Sequence, residues 1–310
     1  MPKSDANNSY INDLQQASTA ALWRLGGLTP WEVLVRSLAG FRRNHLDARA
    51  AQFAYYSMLA VAPLLILLIA AIAHLPLEGV LDSFLDGVGR TMPEQARDVI
   101  ARQIDDIQVR SSVSLVSLAL VVLAFAGSNL FLTMARGLNT AYGITERRRL
   151  WRVRALALAV TIAMFVMALT VVTMLVVGPM VSQTLVDQTD LPIPSYIVYR
   201  SVRWIVVSLG LLLSVSAVYA LAPSARLKWR PFSPGSVVAT SGWVVTSLGC
   251  RFYVAHLARH DQIYGTLGGV IVLMIWLYLT GSVLLLGGLI DSVIHRAEVK
   301  RNADNAWSGI

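Results

Sequence analysis

Six stretches of this chain stay apolar for about 20 residues each, the length a helix needs to cross a ~30 Å hydrocarbon layer. They fall near residues 54–73, 113–134, 155–178, 204–222, 235–255 and 268–290. Only 14% of the 310 residues are charged and 55% are hydrophobic, against roughly 25% charged in an ordinary soluble domain. That is too little charge to coat a soluble fold of this size, and too apolar a chain for disorder. The lone cysteine, Cys250, allows no internal disulfide. The expected fold is all-α: a polytopic membrane bundle of six transmembrane helices.

The distribution of charge sets the expected orientation. Connectors on one side hold 18 Lys and Arg, those on the other hold 7, and Arg251 lies inside the fifth stretch. The positive-inside rule then places both termini in the cytoplasm, which requires an even number of spans. The chain reads as a cytoplasmic segment (1–53), a membrane domain (54–290) and a cytoplasmic tail (291–310). The first stretch reads as an uncleaved anchor, since no signal-peptide pattern precedes it. Within 1–53, Trp31, Leu34, Val35, Leu38 and Phe41 mark a basic amphipathic helix lying along the inner leaflet. The outer loop 74–112 carries seven acids against four bases and two amphipathic patterns. Its Glu78, Asp82 and Asp86 stripe reads as a solvated face or a cation site.

Several polar residues interrupt the apolar stretches. Asn129, Thr133, Arg136 and Thr140, spaced by four, three and four, share one helix stripe and read either as a polar path wall or as interhelical hydrogen bonding. Arg251 either snorkels to the outer interface or meets an anionic group in a cavity. Tyr264, Gly265, Gly268 and Gly269 join the last two spans as a hinge or a substrate-contacting loop. Trp276 and Tyr278 sit mid-span, where an aromatic pair packs or lines a cavity. Pro63 removes a backbone hydrogen bond within the first span and offers a gating bend. Gly242/Gly249 and Gly281/Gly288, each seven apart, serve self-association or internal packing. Arg147, Arg148, Arg149, Arg152 and Arg154 form the densest basic run and are expected to contact anionic lipid head groups. No aromatic platform accompanies them, so no nucleic acid is expected.

No ATP-binding, metal-ligand, redox or nucleophile-elbow motif is present. The expectation is a non-enzyme without cofactor or metal, whose transport, if any, is not ATP-driven by the chain itself.

Three groups of residues resemble one family. Ala50-Ala51-Gln52-Phe53-Ala54-Tyr55-Tyr56-Ser57-Met58-Leu59 with Ala62-Pro63-Leu64 is similar to the first-span signature of the YihY/BrkB family of bacterial inner-membrane proteins. Gly137-Leu138-Asn139-Thr140-Ala141-Tyr142-Gly143 resembles its second-loop signature. Tyr219 to Pro223, Trp229, Pro234-Gly235, Trp243, Tyr253, Tyr264-Gly265, Trp276-Leu277-Tyr278 and Leu286-Gly287-Gly288 resemble its C-terminal half. One departure stands out. The family's last span usually reads Gly-Ala-Glu-hydrophobic-Asn, whereas this chain has Leu289 at the glutamate position and Asp291 two residues on. The resemblance implies an inner-membrane helical protein with the outer loop in the periplasm, and roles in export, lipid handling or serum resistance. It also carries an old ribonuclease label, which no residue pattern here supports.

The leading expectation is a transporter or flippase-like carrier of an amphiphilic or anionic substrate, possibly a lipid. Its path is expected to take in Tyr56, Asn129, Thr133, Arg136, Asn139, Tyr219, Arg251, Tyr253, Tyr264, Trp276 and Tyr278. The alternative is a membrane scaffold that docks envelope partners, with a homo-oligomer open in either case.

Overall fold

The computed structural model describes residues 22–73, 113–146, 148–189, 194–225, 229–256 and 265–308. Among these there are seven α-helices and one short 3-10 turn at Leu25–Gly27. The helices are α1 (Pro30–Arg43), α2 (Leu46–Ala73), α3 (Val113–Tyr142), α4 (Leu150–Thr189), α5 (Pro194–Leu221), α6 (Pro234–His256) and α7 (Gly265–Ser308). Each apolar stretch falls within one of α2 to α7, save that the fourth runs one residue past the end of α5. The outer-loop helices expected between 77 and 107, with the Glu78 stripe, lie outside the described residues, as do Arg147 and Tyr264.

Among the described residues, four segments are long and apolar enough to cross a membrane: Leu46–Leu68, Ser114–Tyr142, Leu150–Thr170 and Gly268–Arg301. Among the described residues α5 offers a shorter apolar stretch, Ser208–Leu221. In α6, Thr240, Ser241, Thr246, Ser247 and Arg251 dilute the apolar sequence.

The amphipathic N-terminal segment forms α1. Thr29 accepts from the Glu32 backbone N–H, the Glu32 carboxylate accepts from the Thr29 backbone N–H, and Pro30 occupies the first turn. This is a capping box, which supplies two of the orphan donors at the helix start. The buried side of α1 is its small-residue side, Val33, Ser37 and Gly40, which packs on α7; Gly40 faces Leu289. Trp31, Leu34, Val35 and Leu38 are exposed, Trp31 by 71%. Phe41, expected on the same apolar stripe, turns instead onto the core.

The chain forms two compact units. One comprises residues 1–58, 129–157 and 210–310. Its main core gathers Leu46, Ala50 and Phe53 of α2, Met134 and Ala141 of α3, and Leu285 and Leu289 of α7. The other comprises residues 59–128 and 158–209, with a core of Ala60, Leu67, Ala119, Leu123 and Ala126 against Phe165. In lipid, hydrophobic transfer does not drive helices together, so close packing must do so. The glycines supply it. Gly281 faces Phe53, Gly288 faces Leu138 and Gly242 faces Val283, so three of the four glycines in the seven-residue pairs serve packing within the chain.

The last helix departs from expectation at its end. The sixth span was expected to stop at Ile290, yet α7 continues unbroken to Ser308. Asp291, Ser292, Ile294, His295 and Glu298 of the expected tail are all buried. The reason is periodicity: Leu289, Ile290 and Ile294 carry the apolar stripe past residue 290, and Ile290 and Ile294 pack against Leu22 and Val33.

Candidate functional site

The first half of α2 and the second half of α3 enclose a pocket of about 340 Å³. Its lining is Ala51, Gln52, Tyr55 and Tyr56 from α2 and Asn129, Leu132, Thr133 and Arg136 from α3. The α3 set follows helical spacing, which puts all four on one stripe. Tyr55 and Tyr56 meet edge to face at 5.2 Å between ring centroids. The Thr133 hydroxyl donates to the Asn129 carbonyl at 2.9 Å, so it is held by its own helix. Arg154 donates to Asn129 Oδ1 at 3.3 Å, which turns the carboxamide oxygen toward a second guanidinium. Arg49 likewise donates to Gln52 Oε1 at 3.0 Å. Arg136 is exposed at the pocket. No carboxylate belongs to the lining, so the pocket is electropositive.

Four residues expected on a common path, Tyr56, Asn129, Thr133 and Arg136, are therefore brought together. The other described candidates lie elsewhere. Asn139 is buried below the α3–α4 connection, where its Nδ2 donates to Glu146 Oε2 at 3.0 Å and its Oδ1 accepts from the Ser224 N–H at 2.8 Å. Tyr219 is buried and donates to the Leu284 carbonyl. Arg251 and Tyr253 are exposed on α6. Trp276 donates through Nε1 to Ser247 Oγ at 3.2 Å, beside Trp243, and Tyr278 packs against the main core. Gly265 opens α7 and Gly268 and Gly269 follow in its first turns, while α2 runs on through Pro63.

The basic run divides in the same way. Arg148 does not face outward as expected. Its Nε and Nη2 hold Glu146 at 2.9 and 3.0 Å, and its Nη1 and Nη2 donate to the Leu221 and Ala222 carbonyls at 3.2 and 2.7 Å. All three nitrogens are thus engaged, closing the C-terminus of α5, where a cation complements the helix dipole. Burial pushes the Glu146 carboxyl upward, but the bonds from Arg148 and Asn139 outweigh it and hold the group below its ordinary value. Arg152 lies 5.3 Å from the Trp151 ring, and Arg149 is exposed.

A second polar site forms around Asp291, the carboxylate that the sequence offers two residues past the family's glutamate position. Asp291 Oδ2 accepts from Ser233 Oγ at 2.6 Å, and its Oδ1 accepts from the Gly235 N–H at 2.7 Å. Leu289, at the position where the family's glutamate usually stands, is a core residue instead. Tyr142, Ser216, Tyr219, Arg230 and His295 line the same small cavity. The signals for it in the sequence were the carboxylate at Asp291 beside the missing glutamate and the spacing of Asp291 and His295, four apart on a helix that continued.

The chain matches the model of a family described as "Virulence factor BrkB" over residues 37–309. This chain belongs to the BrkB family. Of the signature residues, Tyr56 lies at the pocket, and Tyr219, Gly235 and Gly287 meet at one helix contact. Among relatives, the "Putative ribonuclease-like protein YfkH" of Bacillus subtilis is 32% identical over 81% of this chain and 90% of its own length. A "UPF0761 membrane protein" of Tolumonas auensis is 25% identical over 83% of each chain. Another, of Verminephrobacter eiseniae, is 24% identical over 87% of this chain; the match spans 64% of that relative's length. No solved structure matches the chain. BrkB-family membership thus makes this a membrane protein with several apolar helices long enough to span a bilayer.

Proposed function

We propose that this protein is a six-span carrier in the bacterial inner membrane, with both termini cytoplasmic, that moves an anionic amphiphile. The observation that carries this reading is the acid-free pocket between α2 and α3. It offers one guanidinium, two phenols and two carboxamides around a volume of about 340 Å³, within the ~300–1,000 Å³ of typical small-ligand sites. A side-chain cation inside a membrane bundle is costly unless an anion or water meets it. At an effective dielectric of ~20, an anionic group ~4 Å from Arg136 would gain ~4 kcal/mol. The lipid around α2 and α3 would hold the substrate's tail.

Pro63 lies seven residues beyond Tyr56 on α2 and has no N–H to donate, which gives that helix a place to flex as the pocket opens. The ribonuclease in a relative's printed name finds no counterpart in this pocket, which has no histidine or carboxylate to move a proton.

The test is retention of endogenous ligand. Protein purified in mild detergent and analysed by native mass spectrometry should carry an anionic amphiphile, and Arg136→Ala should lose it while Arg251→Ala keeps it. Equal retention by Arg136→Ala and the parent chain would remove the pocket from the account.

A further inference from the structure

Among the described residues, a set of buried ionisable groups surrounds Asp291. From α6 come Gly235, whose backbone N–H meets Oδ1, and just before that helix Ser233, whose hydroxyl meets Oδ2. Ser233 also caps α6, its Oγ accepting from the Ser236 N–H at 3.1 Å. From the segment preceding α6 comes Arg230, which interacts electrostatically with Asp291 and Glu298. Burial holds its guanidinium below the ordinary arginine value. Tyr219 of α5 and Tyr142 of α3 face the same cavity. On α7 itself, His295 lies one turn on from Asp291 and Glu298 follows on the same side, whereas Arg296 turns away to the Ala141 carbonyl.

The contact between Arg230 and His295 ties the imidazole to the guanidinium. Arg230 Nη1 and His295 Nε2 are 3.2 Å apart. A guanidinium has only donors, so Nε2 is the acceptor in this contact. His295 is thus committed to Arg230. Asp291 is the acid whose proton content decides how α6 is held. As an anion it accepts both bonds with charge assistance, roughly doubling their strength over neutral ones. It also complements the positive N-terminal end of α6.

We propose that Asp291 is a proton-binding site whose occupancy releases the N-terminus of α6 from α7. A proton arriving from water adds to Oδ2. The Oδ2–H must then donate to Ser233 Oγ, reversing the bond that Ser233 now makes. The Gly235 N–H keeps only a neutral acceptor, and Arg230 loses one of its counter-charges, keeping that of Glu298. The first turn of α6 is held by both of these bonds, and the cavity beside it, about 20 Å³, has room for the water that would deliver the proton. This site deepens the carrier reading and rests on it for its purpose, since a proton taken up on one side and released on the other would drive the substrate.

The proposal is tested by hydrogen exchange on the full chain in lipid nanodiscs, followed at the amides of residues 236–240 and corrected for intrinsic pH dependence. The parent chain should be protected at pH 8 and exchange at least tenfold faster at pH 5.5, whereas D291N should exchange fast at both. S233A, which keeps the carboxylate but loses one donor to its anionic form and the cap on the Ser236 N–H, should move the transition at the amides of residues 237–240 to higher pH and serves if D291N does not fold. Equal exchange of the parent chain at the two pH values, or protection in D291N equal to the parent's, would overturn it. A pH-dependent α6 with no flux of an anionic amphiphile in proteoliposomes would leave the proton site standing and remove the carrier reading. Flux with a pH-independent α6 would do the reverse.

Discussion

The backbone N–H of Gly235 donates to the Asp291 carboxylate at 2.7 Å, and this bond requires the start of α6 to lie almost against α7. A Cβ at position 235 would collide with the Gly287 carbonyl and come within 2.6 Å of the Asp291 Cγ. Neither a backbone carbonyl nor a twice-bonded carboxylate can yield cheaply. Gly235→Ala should therefore cost about 1–3 kcal/mol, seen as a lower melting temperature in detergent. Gly249→Ala, with nothing within 4 Å, should leave it unchanged or slightly raised.

Glu146 predicts a pH dependence of stability. Its folded-state value lies below the ordinary 4.5 because Arg148 and Asn139 bond to its charged form. Its stabilisation is therefore complete above about pH 4.5 and is lost as pH falls through the lower folded value. The melting temperature should fall in that acid range, and Glu146→Gln should flatten this part of the profile. Arg148→Ala should cost more, because the Leu221 and Ala222 carbonyls lose their donors as well.

His45 joins α1 to α2 with a φ of 50°, in the left-handed region. That conformation costs a non-glycine residue about 1–2 kcal/mol, partly offset by the extra unfolded-state freedom that glycine would bring. Denaturation should show His45→Gly more stable by up to about 1 kcal/mol and His45→Val less stable.

The exposed face of α1 should sit in lipid. In vesicles of anionic brominated lipid, a variant retaining Trp31 as its sole tryptophan should be strongly quenched. Leu34→Glu combined with Leu38→Glu in that background should weaken the quenching. Fluorescence equal to that in unbrominated lipid would place α1 in water.

Much of this architecture was legible because lipid permits few solutions. A 20-residue apolar stretch has little choice but helix, and Thr29, Pro30 and Glu32 announce the start of α1. The Asn129, Thr133 and Arg136 stripe was legible for the same reason, since helical spacing alone aligns it. Long-range partners were not. Arg148 looks like any member of a basic run until the α5 carbonyls arrive beside it from more than 70 residues away. Asp291 read as the first residue of a solvated tail because charge normally ends a span; only the approach of Ser233 and Gly235 makes its burial tolerable. Arg251 and Tyr253 shared the polarity of the pocket residues but lie on α6.

The central claim is that Arg136 and its neighbours carry a negatively charged amphiphile across the bilayer. Proteoliposomes loaded with fluorescent anionic and zwitterionic lipids of equal tail length, assayed by surface quenching with dithionite, test it directly. The account predicts protein-dependent translocation of the anionic probe in preference to the zwitterionic one. It also predicts at least a tenfold loss (about 1.4 kcal/mol) in Arg136→Ala combined with Asn129→Ala. Translocation that is absent, or undiminished in the double variant, would contradict it.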